Sequence, residues 1–196
     1  MWKISNRKIM KISDEVKANK NVPKKFSSNK ILDFDIFEEL WKIIVLPFFE
    51  DLKISKSMRN ILNRNTFKVT FNSAFEEVIK NCKEIYRPDQ GSTWITNEMQ
   101  QAYINLHKLG FAKSVEVWQN DKLVGGLYGV DLGHIFCGES MFSKVSNASK
   151  LAFIALAKQL ELANYRLLDC QVYNEHLDSL GCVEIDREDF LQVLKS

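Results

Sequence analysis

The run LLDCQVYN, residues 167–174, sets a carboxylate and a carboxamide two positions apart, Asp169 and Gln171, in an otherwise apolar stretch. If the run is a β-strand, alternation places Asp169, Gln171 and Tyr173 on one face and Cys170 and Val172 on the other. Polar side chains on a core strand are costly unless they are hydrogen-bonded or engage a ligand. The triplet alone therefore admits two readings. One is a bonded pair bracing a loop; the other is a pair that handles a proton. Glu139, in CGESMF, poses the same alternative, since a buried acid either has a partner or binds something. No convincing Ser-His-Asp or Cys-His set accompanies them.

The elements that must position these residues can be read from periodicity. SVEVWQ alternates, Asn120-Asp121 forms a turn, and KLVGGLYGV returns as the second strand of a hairpin. Gly125-Gly126 inside a strand suggests a bulge or a ligand pressed close to the backbone. DLGH turns the chain into IFCGES, a third strand. Asn147 is expected to cap the long helix NASKLAFIALAKQLELA, and Tyr165 to Val172 follows as a buried strand. Upstream, Phe67, Val69 and Phe71 alternate as a half-buried strand, and Asn72 or Ser73 should cap a helix through Cys82. RPDQGST is a loop, Thr96 or Asn97 caps a helix closing at Gly110, and His107 on that helix is expected to be structural or solvent-facing. Ser55 caps ISKSMRNILNRN. Ile31 to Leu40 reads as a short helix, Trp41 to Phe49 as a buried apolar run broken by Pro47, and short helices follow Asn174 and span Arg187 to Leu194. Hairpin, strand, crossover helix, strand and helix predict an α+β domain with a mixed sheet and flanking helices. The expected division is 1–65, a basic leader with a small N-terminal region, and 66–196, the catalytic domain.

Bulk properties narrow the class. A chain of 196 residues with 45% hydrophobic and 27% charged residues suits a globular protein with one substantial core. Net charge is only +2, but the first thirty residues are strongly basic, which suits a polyanion such as RNA or simply a solvated tail. The four cysteines show no CxxC pair and no zinc spacing, so a reduced, cytosolic protein without a metal is expected. No apolar run reaches the roughly 18–20 residues that span a bilayer, and no signal segment is evident.

The ordered motifs GSTWIT, AYINLHKLGFAKSVEVW, LVGGLYGV, FCGESMFS, NASK, LDCQVYNEHLDSLG and EIDREDFL resemble those of the leucyl/phenylalanyl-tRNA–protein transferase family. The likeness is near-continuous from about Asp51 to Leu194. It implies an acetyltransferase-like fold, and transfer of Leu or Phe from a charged tRNA to a protein whose first residue is Arg or Lys, in the N-degron pathway of protein degradation. Aminolysis of an activated ester needs a neutral amine, a route for its proton and stabilisation of the oxyanion, with no enzyme nucleophile or cofactor. The resemblance implies that Gln171 contacts the amine and that Asp169 polarises it and accepts the proton, directly or by relay. It also implies that Glu139 and Asn174 line the same site, and that Leu127, Phe136 and Trp94 belong to the substrate-binding set. Leu127 and Phe136 would there form the pocket for the transferred side chain. The departures lie at the N-terminus, where the family's GIFPW-type aromatic motif is missing and Trp41 with ISKSMRN are the remnants. Lys53, Lys56, Arg59 and Arg64 are expected to supply phosphate contacts to Leu-tRNA or Phe-tRNA. The protein is expected to be a cytoplasmic monomer.

Two other classes fit the residues less well. An acyl-CoA N-acyltransferase needs a glycine-rich loop before its crossover helix to hold a pyrophosphate on backbone amides; here the loop is SKVSNASK. A diverged RNA-binding protein, or a transferase with another acceptor, would share the fold.

Overall fold

Four consecutive apolar residues, Ile43–Leu46, form β1, and all four are buried. A strand apolar on both faces belongs inside a sheet covered on both sides, and that is where β1 lies. A computed structural model describes residues 43–47, 49–64, 66–85, 93–171 and 175–195. The strands are β1, β2 (Lys68–Phe71), β3 (Ala112–Gln119), β4 (Lys122–Asp131), β5 (Ile135–Ser143), β6 (Leu167–Gln171) and β7 (Val183–Ile185). The helices are α1 (Lys56–Asn63), α2 (Phe75–Glu84), α3 (Asn97–Lys108), α4 (Ala148–Leu162), α5 (Glu175–Asp178) and α6 (Arg187–Lys195). None of them is long and apolar enough to cross a membrane. The expected helix over Ile31–Leu40, Trp41, the basic leader and most of the RPDQGST loop lie outside the described residues.

The seven strands run in the order β2-β3-β4-β5-β6-β1-β7. Every pairing is antiparallel except β5 with β6, which α4 joins as a crossover. The expected α+β class with a mixed sheet is what the chain adopts. The β3–β4 hairpin turns as anticipated. Asn120 and Asp121 both have positive φ (50° and 58°), the twist that a two-residue turn shares with its strands.

Helices cover both faces. On one, α4 packs Leu151, Ala152 and Ile154 into the same core as Val115, Val117, Leu127 and Phe136. Its Ala- and Leu-rich sequence favours helix, and its buried residues leave only a narrow wet stripe. On the other face, Tyr128 meets the rings of Phe75 in α2 and Tyr103 in α3 edge-on, at 5.8 and 5.1 Å. His107 stacks on Phe75 at 4.3 Å and its Nδ1 donates to the Ala112 carbonyl, a structural role as expected.

Several local expectations are revised. The expected division assigns residues 43–64 to an N-terminal region, yet β1 sits between β6 and β7, because four buried apolar residues can be satisfied there and not at a wet surface. Thr96 and Ser55 cap their helices through Met99 and Met58 amides, as anticipated. Asn72 does not cap α2. Ala74 takes that position, and the Asn72 side chain instead accepts from the Ser114 amide at 3.0 Å. Asn147 precedes α4 in a left-handed conformation without a capping bond, and Ser143 Oγ accepts from Ser149 N in its place. The bulge expected at Gly125-Gly126 is present, with Val124 the extra residue of β4 beside Gly125, and the space next to the strand glycines is filled by protein atoms. A Cβ at Gly125 would lie 2.5 Å from Ala148 Cβ, and one at Gly129 would lie 2.2 Å from the Cys137 carbonyl and 2.4 Å from the Phe136 ring. The atoms pressing on these glycines are the protein's own.

Candidate active site

The parallel pairing of β5 with β6 covers only Ile135↔Leu167, Phe136↔Leu168 and Cys137↔Asp169. Beyond it, β5 stays with β4 as far as Ser143, and β6 stays with β1 as far as Gln171. The two central strands therefore part just after Asp169. Polar backbone at such an opening must find other partners, and a side chain supplies one. Gln171 Nε2 donates to the Gly138 carbonyl at 2.9 Å, across the gap.

Each bank of the opening carries a bulge. On β6, Gln171 faces Ile44 and Asp169 faces Val45, so Cys170 is the extra residue. On β5, Ser140 faces Tyr128 and Gly138 faces Gly129, so Glu139 is the extra residue. Bulges re-aim side chains and recur beside functional sites. They also correct the alternation argument. Asp169 and Gln171 do not meet as neighbours on one strand face. They are linked because Gln171 turns to φ 66° and its backbone N–H donates to Asp169 Oδ1 at 2.9 Å. Such an Asx-type bond holds a left-handed residue that costs a non-glycine about 1 kcal/mol.

The geometry fixes which end of the Gln171 amide does what. A carbonyl oxygen only accepts, so the donor end faces Gly138 and Oε1, the acceptor, is the other end. Asp169 is 0% exposed, and the bond from the Gln171 backbone links its carboxylate to the opening. Glu139 is half-buried on the opposite bank.

The other anticipated residues fall elsewhere. Leu127 and Phe136 are packed into the main core at 3% and 2% exposure, where neighbouring side chains already occupy the space beside them. Trp94 is half-buried in the segment leading to α3, with no strand register tying it to the opening. Asn174 lies outside the described residues. Lys53, Lys56, Arg59 and Arg64 are all exposed. Lys53 is anchored by its backbone N–H to the Leu180 carbonyl at 3.0 Å, beside the turn that follows α5. Met58 of α1 shares a core with Leu177 and Leu180, so this basic segment is fixed next to the stretch that leaves β6.

Two features beside the opening were not anticipated. The Gly138 carbonyl carries no side-chain signal at all. Cys182 stands in no CxxC pair or zinc spacing, yet its sulfur lies 3.6 Å from that of Cys170. Nearby, burial and then the positive charge of Lys150 hold the His176 pKa below the ordinary histidine value.

Comparison with known proteins bears on what this opening serves. Residues 45–195 match the family model described as leucyl/phenylalanyl-tRNA protein transferase. A leucyl/phenylalanyl-tRNA–protein transferase of Flavobacterium johnsoniae is 70% identical over 149 residues, which is 76% of this chain and 70% of that one. Those of Flavobacterium psychrophilum and Christiangramia forsetii are 65% and 54% identical, over 76% and 78% of this chain and 70% and 72% of theirs. Among solved structures, an aminoglycoside acetyltransferase from an uncultured soil sample aligns with a TM-score of 0.41 at 13% identity, over 68% of this chain and 90% of that one. That likeness is too loose to bear on function. The sequence match spans both banks of the opening, and on it the chain belongs to the leucyl/phenylalanyl-tRNA–protein transferase family, whose members are aminoacyltransferases.

Proposed function

We propose that the chain transfers a leucyl or phenylalanyl group from the 3′ end of its tRNA to the α-amine of a protein beginning with Arg or Lys, marking it for degradation. The observation that carries this reading is Gln171, held by its backbone on Asp169 and by its side chain on Gly138 at the parting of β5 and β6. In the reaction the amine nitrogen attacks the ester carbon, the amine loses a proton, and the terminal ribose oxygen leaves as a hydroxyl. Gln171 Oε1 accepts one amine N–H and so points the nitrogen lone pair at the ester carbon, a positioning effect of the kind that dominates such reactions. Asp169 acts through Gln171. Its buried negative charge favours the positive charge that develops on the attacking amine, and the proton leaves by relay. Glu139, on the facing bank, orients the aminoacyl-adenosine end or the amine, and Asn174 lines the same site. Trp94 belongs to the substrate-binding set, and Leu127 and Phe136, enclosed in the main core, brace the pocket for the Leu or Phe side chain and do not line it. Shape alone separates such side chains weakly, so Leu, Phe and Met are hard to discriminate.

The ester is already activated, so the reaction needs no cofactor and no metal. Its proposed setting is the cytoplasm, where charged tRNA is made, and the proposed unit is a monomer. Lys53, Lys56, Arg59 and Arg64 contact tRNA phosphates. If all four do so, log Kd against log salt has a slope of magnitude roughly 3, measurable by filter binding across a salt series; a flat response sinks this assignment.

The deciding assay supplies labelled Leu-tRNA or Phe-tRNA and a peptide beginning with Arg. Labelled peptide is expected from the wild type and not from Asp169→Ala or Gln171→Ala. Transfer that survives both substitutions would remove the assigned roles. Binding of tRNA without transfer from any charged species would favour an RNA-binding protein of the same fold.

A further inference from the structure

Cys170 and Cys182 place their sulfurs 3.6 Å apart, and the two residues flank the same strand. Val45 of β1 pairs with Asp169 on one side and with Val183 on the other, so the thiols approach one another over β1. Neither position is neutral. Cys170 is the extra residue of the β6 bulge, between Asp169 and Gln171, and Cys182 directly precedes β7, with its N–H on the Leu177 carbonyl at 3.2 Å. Cys170 is half-buried and Cys182 is 6% exposed, whereas Cys82 and Cys137 are wholly enclosed. Of the four cysteines, these two combine mutual proximity with access from solvent through Cys170.

We propose that Cys170 and Cys182 form a reversible disulfide under hydroperoxide, and that its closure disables the Asp169–Gln171 site. The Cys170 thiolate attacks one oxygen of hydrogen peroxide; an S–O bond forms as the O–O bond breaks, the departing hydroxide takes up the proton lost by the thiol and leaves as water, and the sulfur becomes a sulfenic acid. The Cys182 sulfur then attacks that sulfur. An S–S bond forms as the S–O bond breaks, and the oxygen leaves as water after taking the Cys182 proton. Two thiols and one hydrogen peroxide give one disulfide and two waters. A disulfide holds its sulfurs about 2 Å apart, so closure draws the bulge and the start of β7 together by roughly 1.5 Å. The residue being drawn is the one between Asp169 and Gln171. Their N–H to Oδ1 contact, and with it the carboxamide on Gly138, cannot keep its geometry through that movement, and a displacement of this size in a catalytic group costs up to about a hundredfold in rate. A thiol reductant reverses the change by exchange.

The disulfide stands on geometry alone, while its effect on transfer rests on the function proposed above, and the test separates them. The full chain is reduced, exposed to hydrogen peroxide, alkylated, and mapped without reduction by mass spectrometry. The expected product is a peptide joining Cys170 to Cys182, two hydrogens lighter than the thiols, with Cys82 and Cys137 alkylated after denaturation. Dithiothreitol is expected to abolish the joined peptide. Transfer from Leu-tRNA to an Arg peptide is expected to fall at least about tenfold on oxidation and to recover with dithiothreitol. Cys182→Ser is expected to keep basal transfer, to give no joined peptide, and to lose the reversible inhibition. Recovery of Cys170 as sulfinic acid with Cys182 still a thiol overturns the proposal. So does a Cys182→Ser variant that is inhibited and rescued like the wild type. Absence of transfer by the reduced protein counts against the proposed function and leaves the joined peptide to decide the disulfide.

Discussion

Two buried carboxylates sit in the same sheet, Glu116 near one edge and Asp169 near the middle, both at 0% exposure. Glu116 is enclosed by donors on neighbouring elements. Thr70 Oγ1 donates to it at 2.6 Å, Ser114 Oγ at 2.5 Å and the Ser73 amide at 3.3 Å, while Trp118 Nε1 donates to Thr70 Oγ1 at 2.9 Å. Those donors tie β2 to β3 and to the start of α2; the β2–β3 register is unbroken, and the nearest shift lies on the other side of β3, where Val124 is the extra residue of β4. Asp169 instead sits where strand pairing stops, between two bulges, bonded to a glutamine in a left-handed conformation. Burial alone is thus not what sets the two acids apart. The distinction lies in whether the surrounding backbone is regular or has been bent to present something.

The contrast predicts opposite phenotypes. The largest effect belongs to Gln171→Gly, which removes the carboxamide and relieves the left-handed strain. Transfer should fall by about a thousandfold, roughly 4 kcal/mol of barrier, while urea unfolding shows stability close to wild type, since the relieved strain offsets the lost bond to Gly138. A Gln171→Gly protein that transfers normally breaks the comparison at its centre. Next is Glu116→Ala, which leaves three donors without their acceptor in a buried setting. Loss of about 3 kcal/mol of stability is expected, seen as a drop in Tm of roughly 6–12 °C for a chain of this size. Transfer per folded molecule should stay near wild type; a selective loss of activity would make Glu116 part of the site. Gly125→Ala sharpens the point for the glycines. Its Cβ meets Ala148, so a cost of about 1–3 kcal/mol from overpacking is expected, with the affinity for tRNA unchanged. A variant of normal stability but weakened tRNA binding would restore a ligand-contact role.

The smallest effect is a pH dependence. His176 has its pKa lowered by burial and by Lys150, so near and below pH 6.5 the unfolded chain binds the proton that the folded chain resists. Stability is then level above about pH 6.5 and declines as pH falls below it. Urea midpoints at pH 7.5 and 5.5 should differ in that sense, and less so in Lys150→Met. Equal slopes in the two proteins would show that Lys150 is not a cause.

The parts of this contrast that could be read in the sequence are those governed by local chemistry. Asn120-Asp121 is a turn because both residues tolerate positive φ, and Ser55 and Thr96 are caps because their oxygens reach the third amide beyond them. Asp169 and Gln171 were legible as a pair, and the resemblance to a family gave the pair a task. Their linkage was not legible, because a bulge at Cys170 depends on how β1 meets β6, and nothing local to LLDCQ encodes an extra residue. Glu116 was invisible for a related reason. SVEVWQ alternates like a strand with one wet face, and only the arrival of α2 turns that face into a buried one. The role of Gly125 needed the position of Ala148, which lies beyond a hairpin turn and the whole of β5.

The placement of β1 has a consequence for how the molecule comes into being. β1 pairs with β6 and with β7, so one early stretch of chain must wait for two late ones. Closing such long loops is entropically slow, and contacts this distant in sequence retard folding. The hairpin of β3 and β4 can form on its own, and α4 can bring β5 to β6. The bulge that turns Gln171 toward Gly138 exists only against Ile44 and Val45. In refolding from denaturant, helical signal should return ahead of catalytic competence, which appears only when the two distant parts of the chain have met.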